Sequence, residues 1–196
     1  MKAISLFFLC FFFSLISFSQ SWTDEQLKSA NTASDINYLS QVEKETIMYI
    51  NLARMYPQEF AQYEVQNYFG PENSGDYVKN SSYRQSLIDE LNSKAAAQPL
   101  QPDETIYNYA KCFAIESGDN GIEGHARINC PSGLYAECCS YGMQTGKDIA
   151  LQWLIDDGIP NLGHRKNCMN PAYTKIGVSF HTHTKWRYCA VADFHE

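Results

Sequence analysis

Four side chains of this 196-residue chain are of the right types to do polar chemistry together: His125, Glu137, Asp156 and His164. Imidazole ligates metals and moves protons near neutral pH, and a neighbouring carboxylate orients it or completes a metal shell. Each histidine follows a glycine, Gly124 or Gly163, which lets the backbone come close to whatever the ring faces. Glu137 sits in an apolar stretch, LYAECC, where an unpaired carboxylate is costly. It therefore asks for a partner, and a cationic or metal-bound histidine would serve. Asp156 falls where a helix should end, the wrong pole for an anion, so it too needs a reason. The expectation is that these four meet in one cleft. Plainer readings stand beside it. A turn histidine capping a carbonyl would look the same, and Asp156-Asp157-Gly158 could be a solvated helix terminus. His181 and His183, two apart on one strand face, could bind a metal, but an exposed hairpin tip accounts for them as well. No H-E-x-x-H, G-x-S-x-G, P-loop or dinucleotide fingerprint occurs.

The elements that must hold these residues follow from pattern. Thr145-Gly-Lys-Asp148 resembles a capping box with Asp in place of Glu or Gln. It opens a helix to about Asp156, with Ile149 and Trp153 one turn apart. A Gly/Pro-rich turn then carries His164 towards a strand at Lys175. Pro102 to about Ser117 reads as a helix ended by Gly118, with a buried stripe of Ile106, Ala110, Phe113 and Ala114. A short strand is expected near 134–141. Two β-like runs, 175–180 and 186–194, form an antiparallel hairpin. Upstream, Ile36 to Met55 follows a helical period with Ser34 or Asp35 as cap. Asn51 and Arg54 share one face near its C-terminal end, where a cation suits the dipole. Residues 58–98 read as an insertion that walls or covers a cleft, with a helix near 86–97. Residues 20–34 are polar and read as a loose lead. Helices and strands without βαβ alternation give an α+β layered domain over 35–196.

Composition bounds the rest. Lys2 followed by the apolar run 4–16 and then Ser17-Phe18-Ser19 has the form of a secretory signal peptide, residues 1–19, cleaved between Ser19 and Gln20. This implies a secreted or periplasmic protein without a transmembrane anchor. The net charge of −7 and the lack of a Lys/Arg cluster argue against nucleic acid or anionic lipid surfaces. Thirteen tyrosines supply aromatic surface suited to a wet edge. Beyond Cys10, six cysteines remain, Cys112, Cys130, Cys138, Cys139, Cys168 and Cys189. In an exported chain they are expected in disulfides, of unspecified pairing, rather than at a zinc site, since no C-x-x-C occurs.

Asn51-x-x-Arg54, Leu100-x-Pro102-Asp103, Gly124-His125, Glu137, Trp153, Gly163-His164-Arg165-x-Asn167 and Ile176-Gly177-Val178 stand in the order found in the CAP superfamily. These are the cysteine-rich secretory, antigen 5 and pathogenesis-related proteins, also called the SCP domain. The H-R-x-N variant and the final Y-C-A-V-A-D-F resemble its bacterial branch. The resemblance implies an α-β-α sandwich with a three-stranded antiparallel sheet and a large open cleft. In that cleft two histidines, here His125 and His164, bind a divalent metal in some members, commonly zinc. Glu137 would be the first acid and Asp156 the second. Ala136-Glu137-Cys138-Cys139 departs from the family's G-E-N-I, and Asp156 is shorter than the usual Glu.

Three functions follow as expectations. One is a secreted binding module holding an apolar ligand (lipid or sterol), a divalent metal or a protein partner in the cleft. The second is a zinc-dependent hydrolase with His125 and His164 as ligands and Glu137 as general base. The third makes the polar cluster a purely stabilising network. Binding is favoured over catalysis, because no nucleophile–base pair stands out.

Overall fold

Two helices at the start of the chain cap themselves. In the computed structural model, which describes residues 21–72, 74–133 and 135–196, α1 (Asp24–Ala30) opens on Thr23. The Thr23 hydroxyl accepts the Gln26 N–H while the Gln26 side chain accepts the Thr23 N–H, a reciprocal capping box. Helix α2 (Gln41–Met55) opens the same way on Ser40 and Glu43. The expected loose lead is thus a helix that buries Ala30, and α2 starts later than Ile36 because the box lies at Ser40. The expected leader, 1–19, lies outside the described residues.

The stretch 58–98 is built rather than irregular. Helix α3 (Pro57–Phe60) runs into a π-helical turn over 61–65, and α4 (Ser82–Ser93) is capped by Ser81. A two-residue strand β1 (Gln101–Pro102) leads into α5 (Glu104–Asn120), which Asp103 caps and left-handed Gly121 ends. Then come β2 (Ala136–Tyr141), α6 (Gly146–Ile155), α7 (Gly163–Met169), β3 (Lys175–His183) and β4 (Arg187–His195). The expected turn around His164 is therefore the first turn of a helix.

The class is α+β, but the sheet is not the three-stranded antiparallel one expected. Its order is β1-β3-β4-β2, four strands with mixed directions. Strands β2, β4 and β3 pair antiparallel, while β1 runs parallel to β3. The extra strand arises as the chain nears α5 alongside β3, where Gln101 N–H donates to Thr174 O and Asp103 N–H to Ile176 O. Helix α5 covers one face, its Ala110, Phe113 and Ala114 packing on Cys139 and Val191. Helices α2 and α6 cover the other, with Ile47, Ile50, Ile149 and Trp153 in one cluster with Cys138, Ala190 and Ala192. Alternation along β2 and β4 sends neighbouring residues into opposite layers. Glycine allows one close crossing: a Cβ on Gly177 of β3 would lie 2.2 Å from the Tyr107 nitrogen of α5.

Of the six cysteines, Cys112 and Cys130 form a disulfide, whereas Cys138, Cys139, Cys168 and Cys189 are buried thiols. The expected all-disulfide framework is corrected to one bridge and four thiols. Adjacent Cys138 and Cys139 do separate, one into each layer. Among the described residues, no helix is long and apolar enough to cross a membrane.

Candidate functional site

The loop carrying His125 has no regular structure, so other bonds fix it. Cys130 ties it to Cys112 of α5. The Glu116 carboxylate accepts the N–H groups of Ile128, Asn129 and Cys130 at 2.8, 2.6 and 3.2 Å. Desolvation opposes the charged form of Glu116, yet these three donors hold its carboxyl below the usual range. Arg127 then lies over the Phe113 ring, 4.3 Å from its centroid, and forms an ion pair with Glu137.

Glu137 is consequently shared. Its Oε1 meets His125 Nδ1 at 2.7 Å and Arg127 Nη1 at 3.3 Å, and Oε2 takes Arg127 Nη2. The bond to Glu137 raises the His125 imidazole above its ordinary value, with partial burial opposing. The Cys139 thiol lies 3.7 Å from His125 Nδ1 and 3.8 Å from Glu137 Oε1. Burial pushes that thiol well up. Across the ladder from Glu137 stands Asp193, 2% exposed and with Oδ2 unpartnered. Burial first, and the Glu137 charge second, push its carboxyl up to about 7.

The second pair forms in a different way. Asp156 ends α6 with a left-handed backbone, φ 57°, a conformation Asp tolerates better than most residues. Its Oδ2 accepts the N–H groups of His164 and Arg165 at 2.9 and 3.2 Å, and Oδ1 meets His164 Nδ1 at 2.7 Å. An acid misplaced at the end of α6 is well placed at the start of α7, whose own N-cap, Leu162, supplies no side-chain bond. Arg165, 2% exposed, donates to the carbonyls of Leu154, Ile155 and Tyr83 and so fastens α4 to the end of α6.

The first pair is built on β2, an edge strand of the sheet, and the second on α7, which Asn167 bonds to the Glu137 carbonyl. On the His164 side lies a cavity of about 190 Å³ lined by Tyr68, Tyr77, Tyr141, Trp153, Ile159 and His164, with Cys139 and Asp156 also on its wall. Tyr68, Tyr77 and Val78 of this lining lie between the π-helical turn and α4. His125 and Glu137 are not in this lining; Cys139 touches both His125 and the cavity and joins the halves. In both pairs Nδ1 faces a carboxylate, which leaves Nε2 as the free ligand position of each ring. Among the described residues, the compact three-donor group is His125, Glu137 and Cys139, whose ligand atoms lie within 4.8 Å of one another. His164 is not part of that group.

Asn51 and Arg54 are interior fasteners, not surface groups at a helix pole. Asn51 Nδ2 donates to the carbonyls of Ala30 and Leu100, and its Oδ1 accepts the Leu100 N–H. Arg54, fully buried, donates to the carbonyls of Gln98, Cys168, Asn170 and Tyr173. His183 is 3% exposed and structural, which corrects its reading as an exposed tip. Its Nδ1 accepts the N–H groups of Lys185 and Trp186, so Nε2 donates to Ile122 O. Sequence reasoning missed Arg127, Cys139 as a donor, and Asp193. Only the spacing of Arg127 from His125 points to the first, while Cys139 stands in a Cys-Cys pair and Asp193 in a β-like run.

A family model described as CAP, the cysteine-rich secretory protein family, matches residues 43–194. An uncharacterized protein, YkwD of Bacillus subtilis (strain 168), is 25% identical over 115 residues, 51% of this chain and 43% of that protein. The match thus spans less than half of that relative. An outer surface protein from Borrelia burgdorferi aligns with a TM-score of 0.40 and 22% identity, over 57% of this chain and 86% of that one. The family match runs from the first turn of α2 into the last strand of the sheet and takes in both carboxylate–imidazole pairs, so the chain belongs to the CAP family.

Proposed function

We propose that this protein is an extracytoplasmic binding module whose cleft takes an apolar ligand, a lipid or sterol, with a polar end directed at His164 and Asp156. The observation that carries this reading is the lining of the 190 Å³ cavity, which sets aromatic and aliphatic side chains beside His164 and Asp156. Such a mixture of apolar wall and few convergent polar groups characterises small-molecule sites. Trp153 adds a buried indole N–H without an acceptor, which a ligand oxygen would satisfy. Tyr77 and Ile159, 51% and 38% exposed, give the rim an apolar surface that a bound ligand would cover. A secreted or periplasmic location rests on the form of residues 1–19, and a protein partner seated on the same rim is the variant of this reading for a larger ligand. The test is titration with sterols and lipid extracts, read by melting temperature and by tryptophan fluorescence. Binding raises the former and changes the latter, and Trp153→Phe and Tyr77→Ala weaken both responses. No response to any lipid or sterol overturns it.

A divalent metal is the second candidate occupant. The donor chemistry fits: carboxylate-held Nδ1 atoms leave Nε2 of His125 and His164 available, the arrangement usual for metal-ligating histidines. The donors that converge are His125, Glu137 and Cys139. His164, the second ligand the resemblance implies, stands outside that group, so an ion held here would rest first on His125 and Cys139. Bound zinc supplies an acidified water of pKa near about 7. As general base, however, Glu137 would have to work while bonded to both Arg127 and His125. That ion pair favours binding over hydrolysis. Metal analysis of the purified protein and of His125→Ala decides whether an ion is held. Zinc-dependent hydrolysis lost in that variant would reverse the preference.

A further inference from the structure

Two of the four thiols share one core cluster where α7 is bonded along β2, at the seam between the halves of the site. Cys138 lies on β2, between Glu137 and Cys139, and Cys168 lies on α7, one turn beyond His164. Both are fully buried, and the Cys168 thiol is a hydrogen-bonding neighbour of Cys138. The surroundings fix the Cys138 sulfur from two more sides. It donates to His164 O at 3.7 Å and accepts from Asn167 Nδ2 at 3.7 Å. Asn167 also donates to Glu137 O at 3.1 Å, so α7 is already bonded along β2 here. On the other flank, Arg54 holds the Cys168 carbonyl at 2.9 Å. Cys139 and Cys189 differ: Cys139 faces Gly124 O and Cys189 faces Ala114 O, in the opposite layer.

We propose that Cys138 and Cys168 are a redox pair that closes to a second disulfide, linking the strand of Glu137 to the helix of His164. In the presence of a small disulfide such as oxidised glutathione, one thiolate attacks it and releases one glutathione thiolate. The other cysteine then attacks the mixed disulfide at the protein sulfur and releases the second. Two protein thiols are oxidised, one glutathione disulfide is reduced to two thiols, and the protons pass to those thiols. Because both sulfurs are sealed in the core, the bond forms as the chain folds, before α7 closes over β2. In the reducing state the pair remains as the two buried thiols of the structure. The oxidised state would fix the spacing of the two carboxylate–imidazole pairs covalently.

The experiment refolds the denatured, reduced chain across a series of reduced-to-oxidised glutathione ratios. Samples are quenched in acid, alkylated in denaturant, digested without reduction and mapped by mass. The expected result is a peptide pair joined through Cys138 and Cys168, lighter by two hydrogens than the dithiol, appearing beside the Cys112–Cys130 pair as the ratio turns oxidising. The melting temperature rises by roughly 5–12 °C as it forms. Cys139→Ser retains the linked pair and the rise, whereas Cys168→Ser loses both. The mapping of the unaltered chain stands even if Cys168→Ser fails to fold. Full alkylation of both cysteines at every ratio, or oxidation that joins either of them to Cys139 or Cys189, overturns the proposal.

Discussion

Asp156 and His164 are joined twice, by a 2.9 Å bond from the His164 N–H and a 2.7 Å contact with its ring Nδ1. One carboxylate thereby caps α7 and sets the orientation of the imidazole at the cavity wall. Replacing it should separate these tasks. Asp156→Asn keeps a side chain able to accept from the backbone and to adopt left-handed φ, and it costs about 1 kcal/mol or less. Asp156→Ala removes the cap and strains the backbone, costing about 2–4 kcal/mol. Urea midpoints of the two variants measure the difference, and equal losses would show that the cap is not what matters.

Asp193 gives a pH signature. Its folded carboxyl is pushed up to about 7, while an unfolded aspartate titrates near about 3.9. Between those values the folded state keeps a proton that the unfolded state has released, so this group's contribution to stability falls as pH rises from about 4 to about 7. Asp193→Asn should remove that slope. The variant then gains on the parent by on the order of 2–4 kcal/mol between pH of about 4 and about 8. Parallel stability curves from denaturant titrations would place the proton elsewhere.

His125 is raised first by its bond to Glu137 and is opposed, among other causes, by the charge on Arg127. Its contribution to stability is present below about 6.5 and is lost as pH rises through the folded value. Glu137→Gln should lower the titration midpoint of the ring, and Arg127→Ala should raise it. Proton NMR of the imidazole measures both, and the opposite signs make the pair of variants the check.

Gly177 tests the α5 crossing. A methyl group there meets the Tyr107 backbone at 2.2 Å, a contact with no flexible side chain to yield. Gly177→Ala should destabilise the fold by about 3 kcal/mol or more, read as a lost or strongly lowered thermal transition. A loss under about 1 kcal/mol would mean that helix and strand move apart freely.

Glu116 anchors the His125 loop through three N–H bonds. Glu116→Ala should leave those donors without their acceptor and loosen the loop. Hydrogen exchange should then speed up at Ile128, Asn129 and Cys130 while α6 and α7 stay protected. Uniform exchange changes across the chain would argue against a local anchor.

Much of this was legible in the residues alone. The stripe of Ile106, Ala110, Phe113 and Ala114 marked α5, and Thr145 marked the start of α6, because period and capping act within a few residues. Two further signals lie in the sequence: Thr23-x-x-Gln26 and Ser40-x-x-Glu43 are capping boxes that set where α1 and α2 begin. The need of Glu137 and Asp156 for partners could be argued from cost alone, and each has an imidazole at 2.7 Å. What could not be read is which distant groups share those acids. Arg127 reaches Glu137 only because a disulfide and Glu116 curl its loop onto β2, and Asp193 stands opposite only through strand register. The parallel pairing of β1 was hidden for the same reason, since two residues carry no period.

Arg54 has a bearing on the medium this molecule can work in. It knits residues 98, 168, 170 and 173 together by offering its guanidinium to four neutral carbonyls. Dissolved ions weaken attractions between opposite charges chiefly by shielding them, and here the acceptors carry no net charge to shield. A knot made this way should hold in dilute fluid and in brine alike, where a surface ion pair such as Lys79 with Asp76 would slacken.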